Sequence, residues 1–378
     1  MADNKDKKVL NVPHLRFPEF CGEWEETTLG KISEITKGSG ISKDQLSEQG
    51  SPCILYGELY TKYKSEIIDE VYSRTELDSS SLVKSKANDV IIPCSGETAI
   101  DISTARCVPF NNILLGGDLN IIRLNQDDGG FFAYQLNGAR KKDIARVAQG
   151  VSVVHLYGEN LKHIRVYHPV VEEQKKITRL LSLIDERIAT QNKIIEKLQS
   201  LIKGLAAQLT QSGTPNIRLC DCLECHSSTL QENCVSVTGS YPVYGATGLI
   251  GYTNNYAYSG ESILIVKDGS GVGSLSYVND HFSVIGTLNY LTAKEKHSIL
   301  YLYYALMAFN FTPYITGMAI PHIYFKDYGK AKLFYPSNEK RIRITSLLHN
   351  IEQKLVVEQN LVISLSAQKS YLLRMLFI

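Results

Sequence analysis

The chain repeats itself once, and this repeat constrains the fold more than any other feature of the sequence. The segment from Gly150 to Tyr157 has a counterpart from Gly317 to Tyr324, 167 residues further along. The same offset relates Ile177 to Ile344, whereas matching pairs nearer the start of each half drift out of register. Surface loops tolerate insertions and deletions, which produce such drift. The sequence therefore predicts two related halves, each with a variable front and a tail in strict register.

The tail of each half predicts a long helix. From Ile177 and from Ile344, seam positions recur in alternating steps of four and three, and most of them are apolar, which is the heptad pattern of a coiled coil. Such a helix, of about 33 residues, is about 50 Å long, more than a domain of this size needs. The alternative is that each helix only caps its own domain. The residues assigned to the coiled-coil spacer are Leu181, Ile188, Gln191, Leu198, Leu348, Leu355, Glu358 and Leu365.

Two of these seam residues are polar. Gln191 and Glu358 take the same heptad position, near the middle of the two helices. In an antiparallel pair the middles of the helices meet, so we expect these side chains to face each other. A polar pair in an apolar seam usually fixes the register at a cost in stability.

The fronts of the two halves predict mixed domains. Short apolar runs at Asp89–Pro93 and Ser262–Val266 each precede a glycine-containing loop, as strands do. With 378 residues, the chain can form two domains that each bury a core. We expect an α/β (α+β) fold, with two domains separated by two long helices that form an antiparallel coiled coil. The predicted boundaries are a first domain over 1–170, a first spacer helix over 171–211, a second domain over 212–336 and a second spacer helix over 337–378.

Charge and hydropathy indicate the cellular compartment of the protein rather than its function. The net charge is only +1, from 40 basic and 39 acidic residues, so composition alone does not point to nucleic acid. The segment from Met1 to Arg16 is charged and has no apolar region of the kind found in signal peptides. The apolar stretch around residues 301–311 is shorter than the ~20 residues that a membrane-spanning helix needs. We expect a cytoplasmic protein without a membrane segment.

One cluster of cysteines raises the question of a metal. Its members are Cys220, Cys222, Cys225, His226 and Cys234. Their spacing lacks the two well-separated ligand pairs of structural zinc motifs. We therefore favour reduced cytosolic thiols packed as small apolar side chains, with zinc as the alternative, and assign no metal ligand.

The sequence lacks several common catalytic and nucleotide-binding motifs. It has no G-x4-G-K-[ST] phosphate loop, no Asn-Pro-Pro-Tyr or Asp-Pro-Pro-Tyr motif, no H-E-x-x-H and no G-x-S-x-G. The stretch from Asp268 to Gly273 does not match a dinucleotide-binding loop and predicts a tight loop between strands. The repeated His155 and His322 could be paired catalytic bases, but their shared register favours a structural or DNA-facing role. We predict no catalytic residue and no cofactor bound by this chain.

Candidate DNA contacts come from a local excess of positive charge and from the loops. Between Arg140 and Arg165, basic residues outnumber acidic ones by four, which suits contacts to phosphates. The alternative for each of them is a solvated helix face. Side chains on loops supply the donors and acceptors that read base edges in the major groove. The candidates are Ser95, Glu97, Thr98, Arg140, Lys141, Lys142, Arg146, Gln149, Ser152 and His155 in the first half, and Lys267, Asp268, Ser270, Thr316 and His322 in the second.

These features together resemble a known family. The opening from Pro13 to Glu25, followed by Leu29 and Gly30, is similar to the start of many specificity subunits of type I restriction-modification enzymes. In both halves a proline and a glutamate precede a helix that opens with Ile-Thr-x-Leu-Leu. The order of domain, long helix, domain and long helix also resembles this family over the whole chain. One departure is that the second half is shorter than the first.

The resemblance implies a function. Each domain would be a target-recognition domain that reads one half of a split sequence in double-stranded DNA, with the helices as a rigid spacer. Two methyltransferase subunits that carry S-adenosylmethionine, and two restriction subunits that use ATP and Mg²⁺, would complete the complex. The specificity subunit itself would be non-catalytic. The alternatives are a DNA methyltransferase or nuclease with an unrecognised active site, and a coiled-coil scaffold without a DNA role.

Overall fold

The computed structural model describes residues 10–378, which form two compact units. The first unit comprises the chain up to Gln191 together with Leu361–Ile378, and the second comprises Asn192–Asn360. The first nine residues, where the predicted first domain and the charged N-terminal segment begin, lie outside the described residues. Each long helix is divided between the two units. Each unit therefore consists of one mixed domain and one stretch of each long helix.

The two long helices extend over Val171–Thr210 and Asn338–Met375. Acidic residues occupy the first turn of each helix, where they stabilise the helix dipole. In the first unit, Leu181 near the start of one helix and Leu376 just past the end of the other belong to the same hydrophobic core. The helices are therefore antiparallel in this unit.

The second unit repeats this packing with the other two ends. Ala206, near the end of the first long helix, shares a core with Leu348, near the start of the second. All eight residues predicted for the coiled-coil seam are buried or half-buried. The predicted fold class, mixed domains with two long antiparallel helices, is confirmed. Gln191 is buried and Glu358 half-buried, and their mutual contact stays a prediction.

The first unit is organised around a four-stranded antiparallel sheet. All five residues of its predicted strand Asp89–Pro93 are buried, as a continuous apolar run requires. Its strands in spatial order are Ser33–Lys37, Leu119–Leu124, Asp89–Pro93 and Arg106–Val108. A second sheet contains Leu46–Ser47, Ser73–Thr75, Ser51–Ile54 and Leu114–Leu115, and two-stranded pairs join Glu25–Thr28 to Arg165–His168 and Ser95–Gly96 to Val154–His155. The short helices are Leu29–Ile32, Glu58–Thr61, Ala99–Ile102, Gly129–Asn137, Lys141–Val147 and Gly158–Lys162.

The second unit contains one six-stranded sheet. Its strands in spatial order are Leu223–Ser227, Leu288–Ala293, Tyr258–Val266, Leu275–Val284, Tyr241–Gly245 and Gly248–Thr253. The stretch from Asp268 to Gly273 joins two neighbouring antiparallel strands, which confirms the predicted tight loop. A two-stranded pair joins Ile217–Arg218 to Lys332–Leu333, and the short helices are Leu219–Cys222, Ile299–Met307 and Phe325–Tyr328.

A buried ionic cluster attaches the last turns of the second long helix to the first unit. The ammonium group of Lys369 lies 2.5 Å from a carboxylate oxygen of Glu66 and 2.6 Å from one of Asp185. The hydroxyl of Tyr134 donates a hydrogen bond of 2.7 Å to Asp185. Burial raises the pKa of Asp185, while Lys369 acts in the opposite direction. Because both carboxylates are largely buried, each depends on Lys369 for compensation.

Replacing this lysine is expected to destabilise the first unit. In a Lys369→Met variant, Glu66 and Asp185 keep their burial but lose their counter-ion, a loss that costs about 3–5 kcal/mol. The urea midpoint of the unfolding transition assigned to the first unit should fall, as followed by hydrogen exchange of Gly129–Asn137. Lys354→Met, which removes an exposed lysine from the same helix, is the matched control and should have little effect. Equal midpoints for the two variants would contradict the assignment.

Candidate nucleic-acid interface

In the first unit, two loops that are distant in sequence pair with each other. The strand Ser95–Gly96 runs antiparallel to Val154–His155, and the amide of Leu156 donates to the carbonyl of Cys94 at 2.7 Å. Gln149 and His155 close a tight turn through two backbone hydrogen bonds of 2.9 and 2.7 Å. Residues 94–98 and 149–157 therefore form one structure, which we call the paired-loop module.

The second unit contains the same module. The backbones of Asp268 and His322 form an isolated antiparallel β-bridge, and the amide of Gly269 donates a hydrogen bond to the carbonyl of Pro321 at 2.9 Å. Thr316 and His322 close the turn through two backbone hydrogen bonds of 2.9 and 2.8 Å. Residues 267–270 and 316–324 thus correspond to the two loops of the first module. The structure brings together the loop candidates of each half, although the sequence places them about fifty residues apart.

A glycine makes the turn of each module possible. Gly150 has φ +119° and Gly317 has φ +89°, a region that side chains other than glycine rarely adopt. A Cβ atom at Gly150 would collide with the carbonyl oxygen of Val153, and one at Gly317 with that of Ile320. The repeated glycine is therefore a requirement of the turn.

The two repeated histidines stand beside exposed tyrosines. The ring of His155 stacks on Tyr157 with centroids 6.2 Å apart, and His322 contacts Tyr324 edge-on at 5.0 Å. His155 is exposed and His322 half-buried. The tyrosines were not among the predicted site residues, although they belong to the repeated segment from which the histidines were chosen. Each module thus presents a histidine and an aromatic ring together.

The basic candidates of the first unit differ in the exposure of their side chains and in their contacts within the unit. Arg140 donates to the carbonyl of Ile378 and to Asp143 and stacks over Tyr167, so its guanidinium is held within the unit. Lys141 is half-buried, and burial lowers its pKa. Lys142 is exposed and Arg146 is exposed, although Arg146 also pairs with Asp143 at 2.9 Å. The charge available to a ligand is thus mainly that of Lys142 and Arg146.

The polar loop candidates also differ in availability. Thr98 caps the helix Ala99–Ile102 by accepting a hydrogen bond from the amide of Asp101. Lys267 and Asp268 form an ion pair of 2.8 Å, which reduces the charge that each presents. Ser95 is half-buried, and the remaining polar candidates, Glu97, Gln149, Ser152, Ser270 and Thr316, are exposed.

The cysteine cluster is dispersed over a helix, a strand and a turn. Cys222 is buried, and burial raises its pKa to about 12, which keeps it a thiol. His226 lies 3.0 Å from the hydroxyl of Thr292 and stacks on Tyr290. Within residues 10–378, no group of three or more His, Cys, Asp and Glu side chains is placed to hold a metal ion. Over the same residues, no helix has the length and apolar character needed to cross a membrane.

Comparison with known proteins identifies the family. The model of the type I restriction modification DNA specificity domain matches the chain twice, over residues 22–200 and 217–365. The chain belongs to this family. Its two matches contain the two paired-loop modules, one each.

Individual relatives and solved structures agree with this result. The chain is 23% identical over 211 residues to the type I restriction enzyme MjaVIII specificity subunit of Methanocaldococcus jannaschii. The aligned region covers 55% of this chain and 46% of that protein. A putative type I specificity subunit of Mycoplasma pneumoniae is 30% identical over 138 residues, 34% of this chain and 43% of that one. The matches thus span less than half of these relatives. The crystal structure of the type I restriction-modification S subunit from M. genitalium has the same fold, with a TM-score of 0.69, 18% identity and coverage of 97% and 99% of the two chains.

The glycine turn can be tested by substitution. In Gly150→Ala, the strained φ and the collision with Val153 should open the backbone hydrogen bonds between Gln149 and His155, with a local cost of about 1–3 kcal/mol. Hydrogen exchange of residues 149–155 should accelerate at least tenfold. Gly204→Ala is the matched control, because its Cβ would meet no atom within 4 Å in the long helix and alanine favours helices. Unchanged exchange in Gly150→Ala would show that the turn does not need glycine.

Proposed function

We propose that this chain is the DNA-reading specificity subunit of a type I restriction-modification complex. Each unit reads one half of a bipartite target in double-stranded DNA, and the chain itself makes and breaks no covalent bond. The observation that carries the proposal is the double match to the specificity domain, with one paired-loop module in each matched region. A protein that reads two half-sites needs two readers, and the repeat supplies them.

The side chains on the modules suit base recognition. The amide of Gln149 can pair with adenine through two hydrogen bonds, and the carboxylate of Glu97 can accept one from the amino group of cytosine. In the second unit Thr316 replaces Gln149 at the matching position, and a hydroxyl makes fewer contacts of this kind. The two modules therefore present different donors and acceptors, as expected of two different half-sites. Ser95, Ser152, His155, Lys267, Asp268, Ser270 and His322 complete the proposed reading surface.

The proposed partners follow from the relatives, which are named as specificity subunits of type I restriction enzymes. We propose that the complex contains two adenine-methyltransferase subunits with S-adenosylmethionine and two ATP- and Mg²⁺-dependent restriction subunits, and that it acts in the cytoplasm. If the chain were instead a methyltransferase, the purified protein would label DNA with a methyl group from S-adenosylmethionine. The proposal is supported if the chain alone does not label DNA and labelling appears after its methyltransferase partner is added.

If the exposed residues Lys142 and Arg146 contact phosphates, replacing them should change the salt dependence of DNA binding. Replacing both Lys142 and Arg146 by alanine should weaken DNA binding by the assembled methyltransferase complex on every sequence alike. The slope of log affinity against log salt concentration should become shallower by up to about 2. Lys193→Ala, on an exposed position of the first long helix, is the control and should leave the slope unchanged. A normal slope in the double variant would exclude these residues from the interface.

Independent reading by the two units predicts modular specificity. Replacing residues 30–165 by the corresponding region of a related subunit should change one half of the methylated sequence. The other half, assigned to residues 216–335, should stay the same, because each unit has its own module and core. Sequencing of methylated sites in cells that express the chimera with its methyltransferase gives the readout. A folded chimera that alters both halves would disprove independent reading.

A further inference from the structure

Each paired-loop module carries two exposed apolar side chains at its tip. Val151 is 97% exposed and Met318, at the matching position, is fully exposed. Two residues further on, Val153 and Ile320 are 53% and 66% exposed. We call these two pairs the apolar tips. Single exposed apolar residues are common on proteins, but here the same pair recurs at the same place in both units.

The apolar tips are not explained by packing in the core of either unit. They lie outside the hydrophobic cores of both units. The turn that presents them is closed by backbone hydrogen bonds and by a glycine with positive φ, not by packing of these side chains. The polar residues around the turn differ between the units, with Gln149 in one and Thr316 in the other, whereas the tip is apolar in both. An apolar tip that recurs in both units therefore suits a feature that the two half-sites share.

The two half-sites of an adenine-methylating complex share one requirement whatever their sequences. Each contains an adenine that must leave the base stack to reach the methyltransferase, and this costs a few kcal/mol of stacking and pairing. An apolar side chain that enters the vacated space replaces part of the lost contact, as apolar wedges do between the base steps that DNA-bending proteins open. Valine, isoleucine and methionine have the size and apolar character for such a wedge.

We propose that the apolar tips are wedges that enter the DNA duplex where the target adenine is extruded, one tip for each half-site. The inference rests on the proposed function. DNA is favoured as the occupant because the tips project from the modules that carry the proposed base-reading residues. In the first unit, exposed Lys142 and Arg146 precede the tip, and in the second, exposed Lys326 packs over Tyr324 next to it. Cations on the flanks of an apolar tip complement phosphates around an opened base step.

The test replaces one apolar tip at a time in the complex with the methyltransferase. Val151→Ser with Val153→Ser should slow methylation about tenfold in the first half-site and leave the second unchanged, and Met318→Ser with Ile320→Ser should do the reverse. With 2-aminopurine in place of the target adenine, the fluorescence gain on binding should fall in the affected half-site alone. Val151→Leu with Val153→Leu keeps an apolar tip and should retain activity. Val237→Ser, which removes another highly exposed valine from the second unit, is the matched control.

Modified DNA then separates a wedge from other contacts. An abasic site opposite the target adenine removes pairing, lowers the cost of extrusion and should restore methylation by the serine variants to within about twofold of the original protein. If the tip instead contacts a thymine methyl group, uracil in place of thymine will reproduce the defect, which overturns the proposal. If the tip docks the methyltransferase, the variants will bind that subunit more weakly and the abasic site will not help, which also overturns it.

The failure of the wedge and the failure of the proposed function give different results. If the unmodified complex methylates a bipartite site and the serine variants do so at the same rate, the wedge alone is wrong. If the unmodified complex neither binds nor methylates DNA of any sequence, the proposed function is wrong and the wedge is wrong with it.

Discussion

The hydrophobic core of each unit depends on both long helices. In the first unit, the last residues of the chain, Leu372, Leu376 and Phe377, close a core that begins with Trp24. Phe377 contacts both Trp24 and Phe131, with ring centroids 6.4 and 5.1 Å apart. The core of the first unit is therefore complete only when the end of the second long helix packs into it.

Matching carboxylates in the two units have different partners. Asp185 and Glu352 are 167 residues apart, and both accept hydrogen bonds from tyrosines of a buried helix. In the first unit Lys369 forms an ion pair with Asp185, whereas the matching residue in the second unit is the buried Ile202. Tyr303 and Tyr304 both donate to Glu352 instead. An isoleucine cannot compensate the carboxylates of the first unit, so the two units use different side chains at this matching position.

Much of this arrangement could be predicted from the sequence because it is periodic. The heptad pattern predicts both long helices, but not the ion pairs that Lys369 forms near the end of the second one. The strand Asp89–Pro93 and the tight loop after Val266 are likewise predicted by local patterns. The pairing of residues 94–98 with 149–157 could not be, because hydrogen bonds between distant loops leave no periodic trace. Nor could the internal role of Arg140, since a guanidinium held by Ile378 and one facing solvent look alike in a sequence.

If two units with different modules read two different half-sites, methylation in the cell reports this reading most directly. Adenine methylation should be sequenced genome-wide in cells with this gene and in cells that lack it, with the methyltransferase partner present in both. Loss of the gene should remove methylation from one bipartite sequence, which consists of two specific half-sites separated by a gap of fixed length. Loss of a continuous sequence, or an unchanged methylation pattern, would contradict it.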